Sequence, residues 1–191
     1  SPLRDKYPDG NISLSIKELL EYTLLLSDNN ACDILFSQTG GTETADKYIR
    51  SLGIEQFSIK VTEDEMHKDM NTCYLNWSTP LELLLNKELF GREYQHFIKQ
   101  TMISCQTGKD RLPLPLEKTN AVIGHKTGTG DRNDKGQLVG TNDVGFVYLP
   151  DGQRYTIAVF IKDSEESAQA TSQIIADISR VVYQYMVGAG Y

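Results

Sequence analysis

The spacing of the apolar residues changes once along the chain, after Pro113 and Pro115. Before these prolines, apolar residues recur at helical spacing between polar turns. After them come three short apolar or β-branched runs and then one long amphipathic stretch; the runs span residues 121–125, 145–149 and 155–161, and the stretch spans residues 165–186. The sequence therefore predicts a helical domain over residues 1–116 and, over residues 117–191, three antiparallel strands packed on a C-terminal helix, an α/β (α+β) chain.

Three helices are predicted near the start of the chain. Ser15 and Glu18 have the spacing of a capping box before a helix that runs to Leu26. A second helix is expected from Asn30 to Ser37, and a third from Glu43 to Leu52 with Thr42 as its cap. Further helices are expected over residues 81–85 and 94–103.

Residues 59–80 form the longest stretch without helical periodicity. The stretch is charged and ends at a Trp-Ser-Thr-Pro sequence where a new helix can begin. A connection of this length inside a compact domain is often functional. We therefore predict a functional, omega-like loop here.

The composition excludes several classes of function. With 26 acidic and 19 basic residues, the net charge of −7 disfavours a nucleic-acid partner. No apolar run reaches the length of about 18 residues that a membrane span needs. The three cysteines fit no zinc or redox spacing and are expected to be buried free thiols; they are Cys32, Cys73 and Cys105. No metal and no cofactor is expected.

Two tripeptides carry the candidate chemistry. Ser27-Asp28-Asn29 falls where the first helix ends, and Lys126-Thr127-Gly128 falls at the end of the first strand. The Ser27 hydroxyl can relay a proton to a departing amide nitrogen, and the Lys126 ammonium can attract an anionic substrate. The backbone N–H of Thr129 is suited to half of an oxyanion hole. Taken alone, the first tripeptide also fits a polar helix-ending turn, and the lysine fits a solvated strand end.

In this order, the two tripeptides resemble the S-D-N and K-T-G motifs of class A β-lactamases and penicillin-binding proteins. The resemblance to class A β-lactamases extends along the whole chain, including Asn142-Asp143-Val144-Gly145 and Pro150-Asp151-Gly152. It implies the fold that serine β-lactamases share with penicillin-binding transpeptidases, and the hydrolysis of β-lactams by serine acylation and glutamate-assisted deacylation. Ser27 and Lys126 are then catalytic, while Asn29, Thr127, Gly128 and Thr129 bind substrate.

The same resemblance assigns three further residues. Glu63 takes the place of the general base on the omega loop. His67 stands where most family members carry asparagine, which matches the cephalosporinase and extended-spectrum branch. Arg111, in Thr107-Gly108-Lys109-Asp110-Arg111, takes the place of the arginine that supports the substrate carboxylate, with a surface arginine as the alternative. The Thr129 hydroxyl adds to the expectation of a cephalosporin preference. His96 and His125 are expected to be structural.

The family's nucleophile lies in an S-x-x-K motif upstream of S-D-N. No lysine of this chain follows a serine by three residues, and only 26 residues precede Ser27. The resemblance therefore implies that the first strands and the nucleophile helix precede Ser1 in the whole enzyme, and that this chain alone is inactive. The missing segment or a second copy is expected to cover apolar faces of the strands and of the closing helix. A periplasmic or secreted location is expected for the parent protein.

Other functions fit the same residues. A penicillin-binding transpeptidase would share both motifs but lack the role of Glu63 as a base. A β-lactam sensor would be acylated and stay acylated, and a glutaminase of the same fold would have no carboxylate for Arg111 to bind.

Overall fold

The computed structural model of the chain describes residues 1–78 and 91–188. It divides into two compact units, Ser1–Thr79 and Pro80–Tyr191. The predicted change from a helical domain to a sheet-containing domain, after residue 116, lies inside the second unit and stays a prediction. The predicted helix over residues 81–85 lies outside the described residues, as does the end of the omega-like loop.

The first unit is helical. Its helices are α1 (Pro2–Lys6), α2 (Ile16–Leu26), α3 (Asn29–Gln38), α4 (Thr42–Ser51) and α5 (Glu63–Lys68), followed by a 3-10 helix over Met70–Leu75. The predicted capping box at the start of α2 is confirmed, because Ser15 accepts from the Glu18 N–H and Glu18 accepts from the Ser15 N–H. The core of this unit consists of Leu3, Leu19 and Ala31.

Two predictions for this unit are wrong in detail. Thr42 does not cap α4: it is the first helical residue, Gly41 is the cap, and the Thr42 hydroxyl donates to the Lys60 carbonyl instead. The omega-like loop is not free of helix, because α5 and the 3-10 helix lie within it. A second capping box, between Thr62 and Glu65, starts α5. A helix of six residues is too short to show a helical period in the sequence.

The second unit contains α6 (Arg92–Ile103), a 3-10 turn at Leu114–Leu116, three strands and α7 (Ala168–Gly188). The strands β1 (Val122–Thr129), β2 (Thr141–Tyr148) and β3 (Arg154–Ile161) are antiparallel in the order β1-β2-β3. The predicted class, helices with an antiparallel sheet and a closing helix, is confirmed. Gly124 is required on β1, since a Cβ there would lie 2.3 Å from the buried ring of Phe146.

The apolar face predicted for α7 is only partly buried. Ile175 is fully buried against Leu112, Ile157 and Val159, and Val182 packs beside them. The other apolar residues of that face are exposed: Ile174, Ile178, Val181 and Tyr185. Within residues 1–78 and 91–188, no helix is both long enough and apolar enough to cross a membrane.

Candidate functional site

The S-D-N turn in the first unit is fixed by its central residue. The Asp28 carboxylate is almost fully buried and caps α3 by accepting from the Ala31 N–H at 2.9 Å. It also accepts from the Leu3 N–H and the Ser1 hydroxyl, each at 2.7 Å. Ser27, half-buried, ends α2 in the left-handed conformation with φ 55°. The turn is therefore held in place through the Asp28 carboxylate. Ser27 and Asn29 lie on either side of Asp28 in the sequence.

A second carboxylate, Asp33, anchors the start of α5. Its two oxygens accept from the N–H groups of Glu63 at 2.8 Å and of Asp64 at 2.9 Å. These N–H groups are among those that a helix leaves without an internal partner. Asp33 lies four residues after Asn29, on the same side of α3. One helix thus carries the end of the S-D-N turn and fixes the main chain of the candidate base.

Glu63 and Glu65 differ in their environments. The Glu65 carboxylate is used in the capping box, where it accepts from the Thr62 N–H at 2.8 Å. Glu65 is exposed, whereas Glu63 is half-buried. Glu63 is the better candidate for the base, because it is half-buried and its main chain is anchored by Asp33, whereas Glu65 is exposed and serves as a capping group.

Asn29 and His67 are in direct contact. The Asn29 amide donates to Nε2 of His67 at 2.5 Å. His67 lies on the last turn of α5 and is exposed. The structure therefore brings two elements of the predicted site together in this unit: the S-D-N turn, and α5, which carries both Glu63 and His67.

The K-T-G residues of the second unit lie near the end of β1, and their side chains alternate between its faces. Thr127 is buried, and its hydroxyl is 2.8 Å from that of Thr107. Lys126 is half-buried, and its Nζ donates to the Thr127 carbonyl at 2.6 Å. The Thr127 side chain thus faces the protein interior, and the neighbouring positions Lys126 and Gly128 lie on the opposite face.

Arg111 is a buried arginine, with 8% of its surface exposed. Its guanidinium donates to Thr129 Oγ1 at 2.8 Å, to the Asn142 carbonyl at 2.9 Å and to Ser172 Oγ at 3.3 Å. The alternative of a surface arginine is therefore excluded. The side chain lies beside the K-T-G strand, as the resemblance implied.

A buried polar cluster lies on the Thr127 side of β1. Nδ1 of His125 donates to the Asp143 carboxylate at 2.9 and 3.1 Å. Burial lowers the pKa of His125, but its hydrogen bonds to Asp143 and Cys105 outweigh burial and raise the pKa to about 9. Burial raises the pKa of the Cys105 thiol, and hydrogen bonds with His125 and Thr107 bring it down to about 7. The sequence predicted only that His125 is structural, and it did not predict this cluster.

Among residues 1–78 and 91–188, no three His, Cys, Asp or Glu side chains are grouped so that they could hold a metal ion. None of the three cysteines forms a disulfide. Cys105 is buried as predicted, whereas Cys32 and Cys73 are only half-buried.

Comparison with known proteins places the chain in a family. The family model described as "Beta-lactamase enzyme family" matches residues 3–186. A β-lactamase of Bacteroides uniformis is 44% identical over 97% of this chain and 65% of its own length. The β-lactamase VEB-1 of Pseudomonas aeruginosa is 38% identical over 97% of this chain and 64% of its own length.

Solved structures agree. The extended-spectrum β-lactamase TLA-3 superposes with a TM-score of 0.93 at 43% identity, over 98% of this chain and 70% of that one. A class A β-lactamase from Bacteroides cellulosilyticus gives a TM-score of 0.92 at 44% identity, over 98% and 69% of the two chains. This chain belongs to the class A β-lactamase family. It spans slightly under two thirds of the length of the curated relatives that it matches.

The sequence of this class A β-lactamase chain did not reveal the residues that anchor the candidate site. Asp33 was visible only as an acid four residues after Asn29, a spacing that puts both on one side of a helix. Its partners, the N–H groups of Glu63 and Asp64, lie 30 and 31 residues away in sequence. The Cys105–His125 pairing left no motif at all.

Proposed function

We propose that the whole protein hydrolyses β-lactam antibiotics by serine acylation and water-driven deacylation. The observation that carries the proposal is the difference between two glutamates of α5. Asp33 on α3 fixes the main chain of Glu63, while the Glu65 carboxylate serves in the capping box. Glu63 acts as the general base for the hydrolytic water, and a positioned base of this kind contributes about 10²–10⁴-fold. A transpeptidase or a sensor has no use for such a base.

The other site residues take complementary roles in this proposal. Ser27 passes a proton to the leaving nitrogen, and Asn29 and His67 support the substrate side chain and the base. Lys126 and Arg111 attract the substrate carboxylate. Thr127, Gly128 and Thr129 supply backbone contacts along β1, including the oxyanion donor at Thr129.

The attacking serine does not come from an S-x-x-K motif within these 191 residues, since no serine precedes a lysine by three positions. We propose that the whole protein supplies it from outside this chain, and that the 191-residue chain by itself does not turn over β-lactams. The greater length of the relatives supports this proposal.

The decisive experiment compares Glu63→Gln with Glu65→Gln in the whole protein. Glutamine also serves in a capping box, so Glu65→Gln keeps the fold of α5. After mixing with a cephalosporin, intact-mass measurement should show an adduct that accumulates only in Glu63→Gln, with release slowed at least about 100-fold. Rapid turnover by Glu63→Gln would show that Glu63 is not the general base. A wild-type protein that stays acylated would favour the transpeptidase or sensor.

We further propose a preference for cephalosporins over penicillins, in which the Thr129 hydroxyl takes part. The names of two relatives, PER-1 and TLA-3, contain the words "extended-spectrum", which supports a broad substrate range. Thr129→Ala should lower kcat/KM for cephalosporins more than for penicillins, whereas Thr129→Ser, which keeps the acceptor for Arg111, should not. Equal losses with both substrates would refute the preference.

Two expectations about the whole protein remain proposals. A periplasmic or secreted location is tested by fractionating cells and following β-lactamase activity. The exposed apolar residues of α7, such as Val181 and Tyr185, are covered by a further segment of the whole protein. Light scattering should therefore show a monomer, and a dimer that Tyr185→Asp dissociates would instead identify a second copy as the cover.

A further inference from the structure

A buried thiol lies next to the K-T-G strand and has no part in the chemistry proposed above. Cys105 follows α6 and has 8% of its surface exposed. Its Sγ is 3.4 Å from the Thr107 hydroxyl and is hydrogen-bonded to the imidazole of His125.

The imidazole is held in one orientation. His125 and Asp143 are 3% and 0% exposed, and Nδ1 of His125 donates to both carboxylate oxygens. The Leu112 N–H also donates to this carboxylate, at 3.2 Å. Because Nδ1 is occupied, Nε2 is the ring nitrogen left for the thiol. Cysteine, histidine and aspartate therefore form one buried chain of hydrogen bonds.

Such a chain activates cysteine in enzymes that use it as a nucleophile, because the base takes the thiol proton and the carboxylate orients the base. We propose that Cys105 is a modification site whose sulfur reacts with small uncharged electrophiles, of which a peroxide is the natural class. The thiolate sulfur attacks one peroxide oxygen, an S–O bond forms and the O–O bond breaks. The sulfur is oxidised to a sulfenic acid, and the peroxide is reduced to water or an alcohol, which takes up the proton that the thiol released.

The charges around the thiol support this assignment. His125 on β1 and Asp143 on β2 belong to the hydrogen-bonded chain. Of the charged residues of α6, Arg92 and Glu93 are exposed and Lys99 is half-buried; its His96 is also exposed. The Arg111 guanidinium is bound to other partners. Among residues 1–78 and 91–188, the imidazolium is thus the cation placed to stabilise the thiolate, which agrees with the lowered pKa of Cys105 and the raised pKa of His125.

A group added to Cys105 would disturb the K-T-G strand. The Thr107 hydroxyl, which contacts the thiol, is also 2.8 Å from the Thr127 hydroxyl. The turn leaves no spare room, since a Cβ on Gly108 would lie 2.3 Å from Thr127 Cγ2. Modification should therefore slow β-lactam turnover, a consequence that rests on the proposed function.

The test is alkylation of the native whole protein by iodoacetamide, a small uncharged probe, followed from pH 5.5 to 10 by mass mapping of each cysteine. Each rate is divided by its own plateau at high pH, which removes differences in access. Cys105 should reach half of its plateau near pH 7, whereas an ordinary thiol does so near pH 8.5. At pH 7, the alkylation rate of Cys105 should therefore be about half of its plateau, whereas the rate of an ordinary thiol should be a few per cent of its own plateau.

His125→Asn removes the cation and should move the Cys105 midpoint up by at least one pH unit, with at least about 5-fold less reaction at pH 7. The wild-type profile is a sufficient test if this buried variant fails to fold. A midpoint near pH 8.5, or labelling of Cys105 only in urea, would overturn the proposal. Brief exposure to hydrogen peroxide should make Cys105 reactive to dimedone, and Cys105→Ser is the matched control. These readouts do not depend on β-lactam turnover, so they fail or succeed separately from the proposed function.

Discussion

The Nη2 nitrogen of Arg111 donates to the Oγ1 of Thr129 at 2.8 Å, so the arginine is tied to the residue that directly follows the K-T-G motif. Its other two hydrogen bonds, to Asn142 and Ser172, fix it from the interior. A guanidinium held in this way would lose little conformational freedom on binding a carboxylate, the role that we propose for it.

Arg111→Ala in the whole protein should raise KM and spare kcat, because in the proposed function the arginine holds the carboxylate equally in the ground state and the transition state. A lost charge-assisted hydrogen bond is worth roughly 1.5–3 kcal/mol, or about 10- to 150-fold. Lys126→Ala is the contrasting variant and should lower kcat as well. The measurement is steady-state kinetics with a cephalosporin and its carboxylate ester. If Arg111→Ala still discriminates acid from ester as wild type does, the arginine does not bind substrate.

Asp33→Ala should loosen the start of α5, because the Glu63 and Asp64 N–H groups lose their acceptor. Loss of a helix cap of this kind costs about 0.5–2 kcal/mol. Hydrogen exchange at these two amides should accelerate, whereas exchange within α2 should not change. Asp33→Asn, which keeps one acceptor oxygen, should give a smaller effect. Unchanged exchange in Asp33→Ala would show that the anchor is dispensable.

Gly108→Ala should destabilise the protein more than Gly10→Ala. The two glycines have nearly the same φ, +63° and +65°, so both substitutions carry the same left-handed penalty of roughly 1–2 kcal/mol. A Cβ added at Gly108 would also lie 2.3 Å from Thr127 Cγ2, whereas a Cβ added at Gly10 would have no neighbour within 4 Å. Overpacking adds typically about 1–3 kcal/mol. Urea unfolding measures the difference, and equal losses would contradict the tight packing of the turn against β1.

Cys105→Ser should change the pH dependence of stability between pH 7 and 9. The pKa of His125 is raised from 6.5 to about 9 on folding, so its stabilisation is complete below pH 6.5 and is lost as pH rises through 9. The pKa of Cys105 is lowered from 9.0 to about 7, so its stabilisation is present above pH 9 and is lost as pH falls through 7. In wild type the two trends oppose each other.

Without the thiol, only the histidine trend remains, since Asp143 still holds the imidazole. Relative to wild type, the unfolding free energy of Cys105→Ser should therefore fall by up to about 1.4 kcal/mol per pH unit between pH 7 and 9. Urea unfolding across this range is the measurement, with Cys32→Ser as the control that should follow wild type. Parallel curves for Cys105→Ser and wild type would show that the thiol and imidazole do not share a proton.

Most of the helices and strands of this chain, and its candidate site residues, could be predicted from the sequence. Period 2 and period 3.6 patterns predicted β1–β3 and α7, and the spacing of Ser15 and Glu18 predicted the start of α2, because such signals arise from neighbours within a few residues. The S-D-N and K-T-G motifs indicated the family for the same reason, because the residues of each motif are consecutive in the sequence. Glu63 and Arg111 followed from the resemblance.

The groups that hold those residues in place are known only from the folded chain. The contacts of Asp33 with α5, of Asp28 with Leu3, and of His125 with Asp143 join positions 18 to 31 residues apart. The burial of Arg111 likewise depends on Ser172, 61 residues away. The capping box of α5 is local, but a helix of six residues is less than two turns long and shows no period that distinguishes it from a loop. Side chains that come into contact only when the chain has folded produce no recognisable pattern in the sequence. Their roles can be inferred only from their packing and burial in the structure.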